Sequence, residues 1–548
     1  MIEIFNRLKS NPILFTKIMV ASLFVNVLAL ATPIYVIQVL QRYVAYGVSS
    51  TLVTLFVGIT IVSIFEFFFR NIRHRMTRET ESANVILADS VMKKIVSIKS
   101  NYFSLQKNFR PDIITKNVKI VENTLNATTT LIIVDVPFVL IFLLALYLIN
   151  YQLGIIASLF IFMPIIILGF YRKNINQLSE KSIQISLSTA RLHDNSITRF
   201  DTIKYFNLIE AVRRAWVRIV DTFIEINENL ESRKNILTSF MALSSTFLTI
   251  IIIAWGAKLA VEGEISVGAL IGANILAARA ISPIIRLVQN IEPLNTASNS
   301  IKEINYFLKL PQEKPGGAEI KDFKGDISIK DLQFIYPDSR KPLFESLNCQ
   351  VGPGELMVIK GSNGSGKSTF IKLITRILEF KRGEINFDNV DVNQLSQKWI
   401  SSNLIFLPQE PKFIDGTLLD NLLGLGEIKK DKMSQILKSV DLLDFVNSHP
   451  DGLTMSLTNR GEDLPFGVRK RIALARALIV SGQVVILDEP TESIDENGRK
   501  SIYALLSEFV KNNKTVIVSS QDNEIIRMSD LIIDLDTKPL PKISINKK

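Results

Sequence analysis

Six stretches of about 20 residues with little charge recur along this chain, near 14 to 40, 49 to 69, 129 to 149, 152 to 171, 237 to 258 and 265 to 285. A helix of that length spans the hydrocarbon core of a bilayer, so membrane lipid, rather than an aqueous core, is the expected surrounding of the first half. The chain has 548 residues, 47% of them hydrophobic, and a mean hydropathy of +0.25, which calls for at least two domains. The first apolar stretch, from Pro12 to Leu40, is longer than a signal-peptide core and lacks a small-residue exit, so it is expected to stay in the membrane. The sixth run carries Asn274 and Arg279, with Arg286 at its end. Its later part is therefore expected to face a cavity or neighbouring protein.

The connections set an orientation. Those at 41 to 48, 150 to 151 and 259 to 264 are short, whereas 71 to 128 and 172 to 236 are long, charged and helix-patterned. The long ones hold Arg73, Arg75, Arg78, Lys93, Lys94 and Lys99, then Arg172, Lys173, Arg199, Lys204, Arg213, Arg214 and Arg218. With Arg7 and Lys9, they place the N-terminus and both loops on the cytoplasmic side. Helices of about 25 residues there would reach roughly 35 to 40 Å beyond the bilayer, as stalks. The net charge of +10 is spread among the apolar segments rather than gathered in a basic stripe, so no nucleic-acid partner is expected. A single cysteine, Cys349, and three histidines exclude an internal disulfide and argue against structural zinc.

Composition changes after the sixth run. Residues 1–308 read as the transmembrane domain, and 309–320, containing Leu310-Pro-Gln-Glu-Lys-Pro-Gly-Gly-Ala318, as a linker; 321–548 read as a soluble domain. Apolar runs at Ile327 to Phe334, Glu355 to Ile359, Ile405 to Leu407, Val484 to Leu487, Thr515 to Val518 and Leu531 to Leu535 alternate with helical stretches, as in a sheet flanked by helices.

The strongest local signal lies between the strand-like Leu356-Met-Val-Ile359 and a helical stretch to Leu378: Gly361, Ser362, Asn363, Gly364, Ser365, Gly366, Lys367, Ser368 and Thr369. Glycines at these positions let backbone N–H groups close around phosphates, and the helix start adds positive potential. Lys367 supplies a cation, and the Ser368 hydroxyl can ligate Mg²⁺. Farther on, Val484-Val-Ile-Leu487 ends in Asp488, placed to hold the Mg²⁺ shell, and Glu489, placed to polarise a water attacking the γ-phosphate of ATP.

The order of this loop, Pro408-Gln409-Glu410, Arg471-Ile-Ala-Leu-Ala-Arg-Ala-Leu478 and Leu487-Asp-Glu-Pro490-Thr491 resembles the ATP-binding cassette ATPases. The resemblance extends over nearly the whole chain. It implies a membrane α-helical six-span exporter domain fused to an α/β P-loop ATPase domain, with ATP and Mg²⁺ as cofactors. It also implies that Tyr336 stacks on adenine, that Gln409 reaches Mg²⁺, and that Asp495 lies in the loop at the interface with a second cassette half.

The departures fall elsewhere. Where the family has Leu-Ser-Gly-Gly-Gln, gripping the nucleotide of the opposite subunit, this chain has Leu464, Pro465, Phe466, Gly467 and Val468. Pro465 offers neither hydroxyl nor N–H, and Phe466 crowds a position the family keeps bare. At the switch position Gln521 replaces histidine and cannot carry positive charge. Asn459, in Thr458-Asn459-Arg460-Gly461, stands in place of an acidic contact across the dimer.

In the membrane half, Asn26 to Val39, Asp135-Val-Pro137-Phe138 and Gly272 to Pro283 are similar to the type I protein-secretion branch, with Leu40-Gln41 departing from its usual pair. That resemblance implies a membrane-fusion adaptor and an outer-membrane channel as partners, an exported protein with an uncleaved C-terminal signal, and an inner-membrane location. From the short segment before the first run, no cysteine peptidase of the kind found on leader-cleaving exporters is expected. Segments around Phe103 to Pro111 and Ser196 to Asn207 resemble coupling helices. Two other readings remain: a weakly hydrolysing subunit that pairs with a more complete paralogue, and a lipid or small-molecule exporter.

Overall fold

The computed structural model describes residues 2–99, 111–313, 316–337, 339–423, 428 and 430–546. Of the expected segment from Phe103 to Pro111, residues 103–110 lie outside them. Contacts divide the chain into two units: Met1–Val96 with Arg110–Leu310, and Pro311–Lys548, which takes Ser97–Phe109 with it.

Among the described residues, six helices are long and apolar enough to cross a membrane: Pro12–Val44, Ser49–Ser97, Ala127–Ile149, Tyr151–Tyr171, Ile209–Val261 and Val267–Gln289. Asparagine and serine side chains begin four of them. The Asn11 side chain accepts from Leu14 N, Asn126 from Thr129 N, Asn150 from Gln152 N and Ser266 from Ala269 N, each satisfying a first-turn amide that has no intrahelical acceptor. Proline shapes two of these four from within. The first span breaks between Pro12–Leu28 and Ala31–Gln38 because Pro33 has no N–H and its ring crowds the carbonyl four residues back. Pro137 sits in the 3₁₀ turn Val136–Phe138, which separates Ala127–Asp135 from Val139–Ile149.

The charged stretch 172 to 236 forms stalks. One helix runs Tyr151–Thr198 over 48 residues and another Ile209–Val261 over 53, so at 1.5 Å per residue they reach about 70 to 80 Å. The short helix Phe200–Tyr205 joins them. Leu140, Leu144, Leu148, Phe162 and Phe170 are exposed, as lipid-facing side chains must be in an isolated chain. Met241, Leu248, Ile252, Ala273, Leu276 and Ala280 fill the interior between helices. Gly272 permits one close approach, since a Cβ there would fall 2.4 Å from Ile37 Cγ1.

Asp135 closes helix Ala127–Asp135 and also has a partner. Arg73 Nη1 meets its Oδ1 at 2.5 Å and donates to Ser22 Oγ at 3.3 Å, with Arg73 only 9% exposed. Breaking such a pair leaves a buried charge uncompensated. Asp135→Asn or Arg73→Ala is therefore expected to lower stability by about 3 to 5 kcal/mol, while Arg73→Met with Asp135→Leu recovers most of the loss. Thermal unfolding of the three purified variants checks this.

In the second unit, a six-stranded sheet runs, edge to edge, Lys542–Ile545, Leu531–Asp534, Leu356–Lys360, Thr515–Ser519, Val484–Asp488 and Leu404–Leu407. All neighbours are parallel except the first pair. Strands buried on both faces need unbroken apolar runs, and every residue of Val484–Asp488 and Thr515–Ser519 is buried. One face packs Val358, Leu487 and Val518 against the helical region; the other packs Met357, Ile486 and Ile517 against an antiparallel sheet of Phe344–Val351, Ile327–Phe334, Arg382–Phe387 and Val390–Asp391. In register, Ser519 lies beside both Asp488 and Ile359. The segments leaving the carboxyl ends of three adjacent strands therefore start side by side, where open parallel sheets form their ligand crevices.

Candidate active site

The loop after Leu356–Lys360 turns into helix Lys367–Ile374 through Gly366, whose φ is +113°; a Cβ there would lie 2.7 Å from Leu343 Cδ2. Glycine meets both demands, the left-handed backbone and the missing side chain. The result is a cavity of about 340 Å³ lined by Tyr336, Leu343, Ser362, Asn363, Gly364, Gly366, Lys367, Ser368, Thr369, Gln409 and Glu489. Most of the predicted nucleotide residues therefore meet in one place. Gly361 and Ser365 sit behind the loop, with the Ser365 hydroxyl buried and unpartnered.

Lys367 is 7% exposed. Its ammonium donates to Gly361 O at 2.7 Å and Ser362 O at 3.4 Å and meets Glu489 Oε1 at 3.2 Å. Burial raises the Glu489 carboxyl above its ordinary 4.5, with Lys367 pulling the other way. The Glu489 backbone is itself unusual, a non-glycine residue at φ +48°, and its N–H donates to both the carbonyl and the hydroxyl of Ser519 at 3.0 Å. The same Ser519 hydroxyl donates to Asp488 Oδ1. Asp488 is buried and does not line the cavity.

Tyr336 is 38% exposed, with its hydroxyl 2.6 Å from Thr369 Oγ1 and its ring edge-on to Phe334. Gln409 Nε2 donates to Glu492 Oε2 at 3.1 Å, which leaves its amide oxygen as an acceptor beside the cavity. A hydroxyl, a carboxylate and an amide oxygen are hard donors of the kind Mg²⁺ takes together with phosphate oxygens, so Ser368, Asp488 and Gln409 fit that ion. Gln521 lies to one side, donating to Gly361 O at 3.0 Å.

Leu464 to Val468 are not among the residues lining this cavity. Pro465 is the exposed N-cap of helix Phe466–Ile479 and supplies no side-chain acceptor. The Phe466 ring centroid lies 5.3 Å from Arg469 Cζ and 5.5 Å from Lys470 Nζ. Gly467 and Val468 continue the first turn. Asp495 caps helix Glu496–Lys511 and pairs with Arg471 Nη2 at 2.6 Å.

Three residues that sequence reasoning missed complete the surroundings. Asp536 Oδ1 accepts from Ser362 N at 2.8 Å and Oγ at 2.6 Å, and these bonds hold its carboxyl below the usual range. Glu492 orients Gln409. Lys470, 1% exposed, donates to Glu489 O at 2.5 Å and Glu492 O at 2.9 Å. Arg469-Lys470-Arg471 reads as a solvated charged run, and no local signal marks the middle residue as buried.

Burial pushes the Lys470 ammonium down from 10.5 to about 8, against the opposing pull of Glu492, Glu489 and Asp488. An unfolded lysine stays protonated to about 10.5, so between those two values the unfolded state binds more protons and this group's contribution to stability rises with pH. Melting temperature should therefore rise for the native chain relative to K470M between about pH 7.5 and about pH 9.5. A constant difference in thermal melts would contradict the assignment.

Known proteins place these observations. A family model described as ABC transporter transmembrane region matches residues 15–284, and one described as ABC transporter matches residues 344–492. The chain is 24% identical over 530 residues to the exotoxin translocation ATP-binding protein PaxB of Pasteurella aerogenes, covering 95% of this chain and 74% of that protein. It is likewise 24% identical over 527 residues to the alpha-hemolysin translocation ATP-binding protein HlyB of Escherichia coli O157:H7, with the same coverage. Among solved structures, a bacterial Atm1-family ABC exporter with ATP bound shares the fold, with a TM-score of 0.84 and 19% identity over 97% of this chain and 95% of that one.

Proposed function

The chain belongs to the ABC transporters, with membrane region and ATPase domain fused, and from that premise we propose that it works as a dimeric exporter of the type I secretion kind. The observation that carries the reading is the cavity in which Lys367 and Glu489 face each other at 3.2 Å, beside Ser368, Gln409 and the aromatic Tyr336. Tyr336 stacks on the adenine of ATP, and the amides from Gly361 to Thr369 with the Lys367 ammonium hold its phosphates. Mg²⁺, held by Ser368, Gln409 and Asp488, would neutralise phosphate charge. When the γ-phosphate draws Lys367 away, the Glu489 carboxylate is released to orient and deprotonate the attacking water. Gln521 steadies the phosphate loop through Gly361 rather than supplying charge.

Two copies close head to tail, each placing the N-terminus of helix Phe466–Ile479 and Asp495 against the other's nucleotide. Exposed Phe200, Tyr205 and Phe206 at the stalk tip support a dimer; Tyr205 is 90% exposed and fits a surface supplied by a second ATPase domain. Names of the relatives that refer to toxin translocation support an exported protein as cargo, moved across an inner membrane with an adaptor and an outer-membrane channel. The basic loops support a cytoplasmic N-terminus and ATPase domain.

One observation favours a second reading, a weakly hydrolysing subunit paired with a paralogue: Pro465 and Phe466 stand where a cross-dimer grip is expected. Reconstitution in inverted vesicles separates the two. Export by a homodimer requires ATP-dependent uptake of an unfolded protein bearing its C-terminal segment. A basal ATPase rate no higher than that of Glu489→Gln overturns it in favour of the subunit role. Uptake of lipid in place of protein changes the cargo assignment alone.

A further inference from the structure

Lys470 lies in the second turn of helix Phe466–Ile479, yet its ammonium is spent on another segment, the turn that follows strand Val484–Asp488. That turn needs holding. Glu489 at φ +48° and Ser493 at φ +58° are non-glycine residues in the left-handed region at its two ends, and within it Glu492 N donates to Glu489 O at 3.2 Å. Lys470 reaches the carbonyls of both Glu489 and Glu492 from one atom, which an ammonium with three donors can do. Glu492 then passes the constraint to Gln409 through its carboxylate. At the other end, the Phe466 ring lies over the same ammonium, 5.5 Å from centroid to Nζ. The first residue of the helix, the carboxylate over the cavity and the Gln409 side chain are thus joined through a single buried group.

We infer that Lys470 is a positioning residue for hydrolysis: it clamps the turn that aims the Glu489 carboxylate and transmits displacement at Phe466 to it. This rests on the reading of Glu489 as the group that acts on water. A helix pressed by a partner's nucleotide at Phe466 cannot shift without moving the Glu489 and Glu492 carbonyls. The carboxylate then comes to its working position only when the second cassette is in place.

The test uses the full chain in nanodiscs, as K470M, which keeps the stem and removes the donors, and as K470Q, which restores a neutral donor. K470M is expected to lower kcat by roughly 10- to 10²-fold, the cost of misplacing a reacting group by about an ångström, with KM for ATP changed less than about threefold. K470Q recovers most of that loss. Hydrogen exchange at the Glu492 amide should quicken in K470M and return toward the native rate in K470Q. The inference is overturned by native kcat and exchange in K470M, by a KM that rises in step with the loss of kcat, or by no recovery in K470Q. E489Q serves as the control. If the native chain hydrolyses no faster than E489Q, it is the hydrolytic reading that fails, and exchange at Glu492 alone decides whether Lys470 is the clamp.

Discussion

Glu489→Gln is expected to lower Mg²⁺-dependent ATP hydrolysis by roughly 10²- to 10⁴-fold, the range for loss of a positioned general base, while ATP binding is kept or tightened. The separation follows from the geometry. The proposed nucleotide contacts are distributed over the loop from Gly361 to Thr369 and Tyr336, and the amide alters only the surroundings of Lys367 among them. The Glu489 carboxylate pairs with Lys367 at 3.2 Å, so neutralising it frees the ammonium for phosphate. Because burial lifts this carboxyl above 4.5, the acid limb of kcat/KM in the native chain should also lie above that value and disappear in the variant's residual rate. Steady-state hydrolysis with equilibrium nucleotide binding checks each part. A variant that hydrolyses at the native rate removes Glu489 from the mechanism.

The second large effect is a gain. Pro465→Ser together with Phe466→Gly is expected to strengthen ATP-driven association of the two ATPase domains by a factor of 10² or more. The estimate takes two charge-assisted hydrogen bonds at about 1.5 to 3 kcal/mol each, so roughly 3 to 6 kcal/mol in all. The helix supplies the physical ground: the first amides of Phe466–Ile479 have no intrahelical acceptor and carry the positive end of its dipole, and the Pro465 cap makes no side-chain hydrogen bond to them. Serine at 465 restores a hydroxyl, and glycine at 466 lets a phosphate approach the backbone. Association measured by sedimentation in the Glu489→Gln background, where the closed state persists, gives the factor directly. An unchanged association constant would mean that this segment does not meet the partner's nucleotide.

Features that depend on near neighbours in the chain were legible in advance. The six spans follow from hydropathy alone, because lipid selects composition and length without regard to what lies beside them. The interruption near Pro33 and the turn at Pro137 were not among the expectations, although each comes from a missing N–H, a property of one residue. Gly361 to Ser368 could be read as a phosphate loop because spacing and strand-turn-helix order are both local. Most of the strands expected from apolar runs belong to the six-stranded sheet, whose central members Val484–Asp488 and Thr515–Ser519 are buried throughout; Phe344–Val351, with four polar residues in eight, offers no such run.

Other features needed the folded chain. Arg73 and Asp135 are separated by 62 positions, and nothing around either announces the other. Asp536 reaches Ser362 across 174 positions because strand Leu531–Asp534 lies beside Leu356–Lys360, a neighbourhood set by sheet order. Lys470 shows the limit most clearly. Its sequence surroundings are those of an exposed basic face, and only the packing of Phe466–Ile479 against the turn after Asp488 turns its charge inward. Thus the sequence by itself determined the membrane half and the strand-turn-helix order around Gly361 to Ser368, since each depends on composition or close spacing. Tertiary structure decided which charges are buried and which side chains hold the Glu489 carboxylate, since those depend on contacts between segments far apart in the chain.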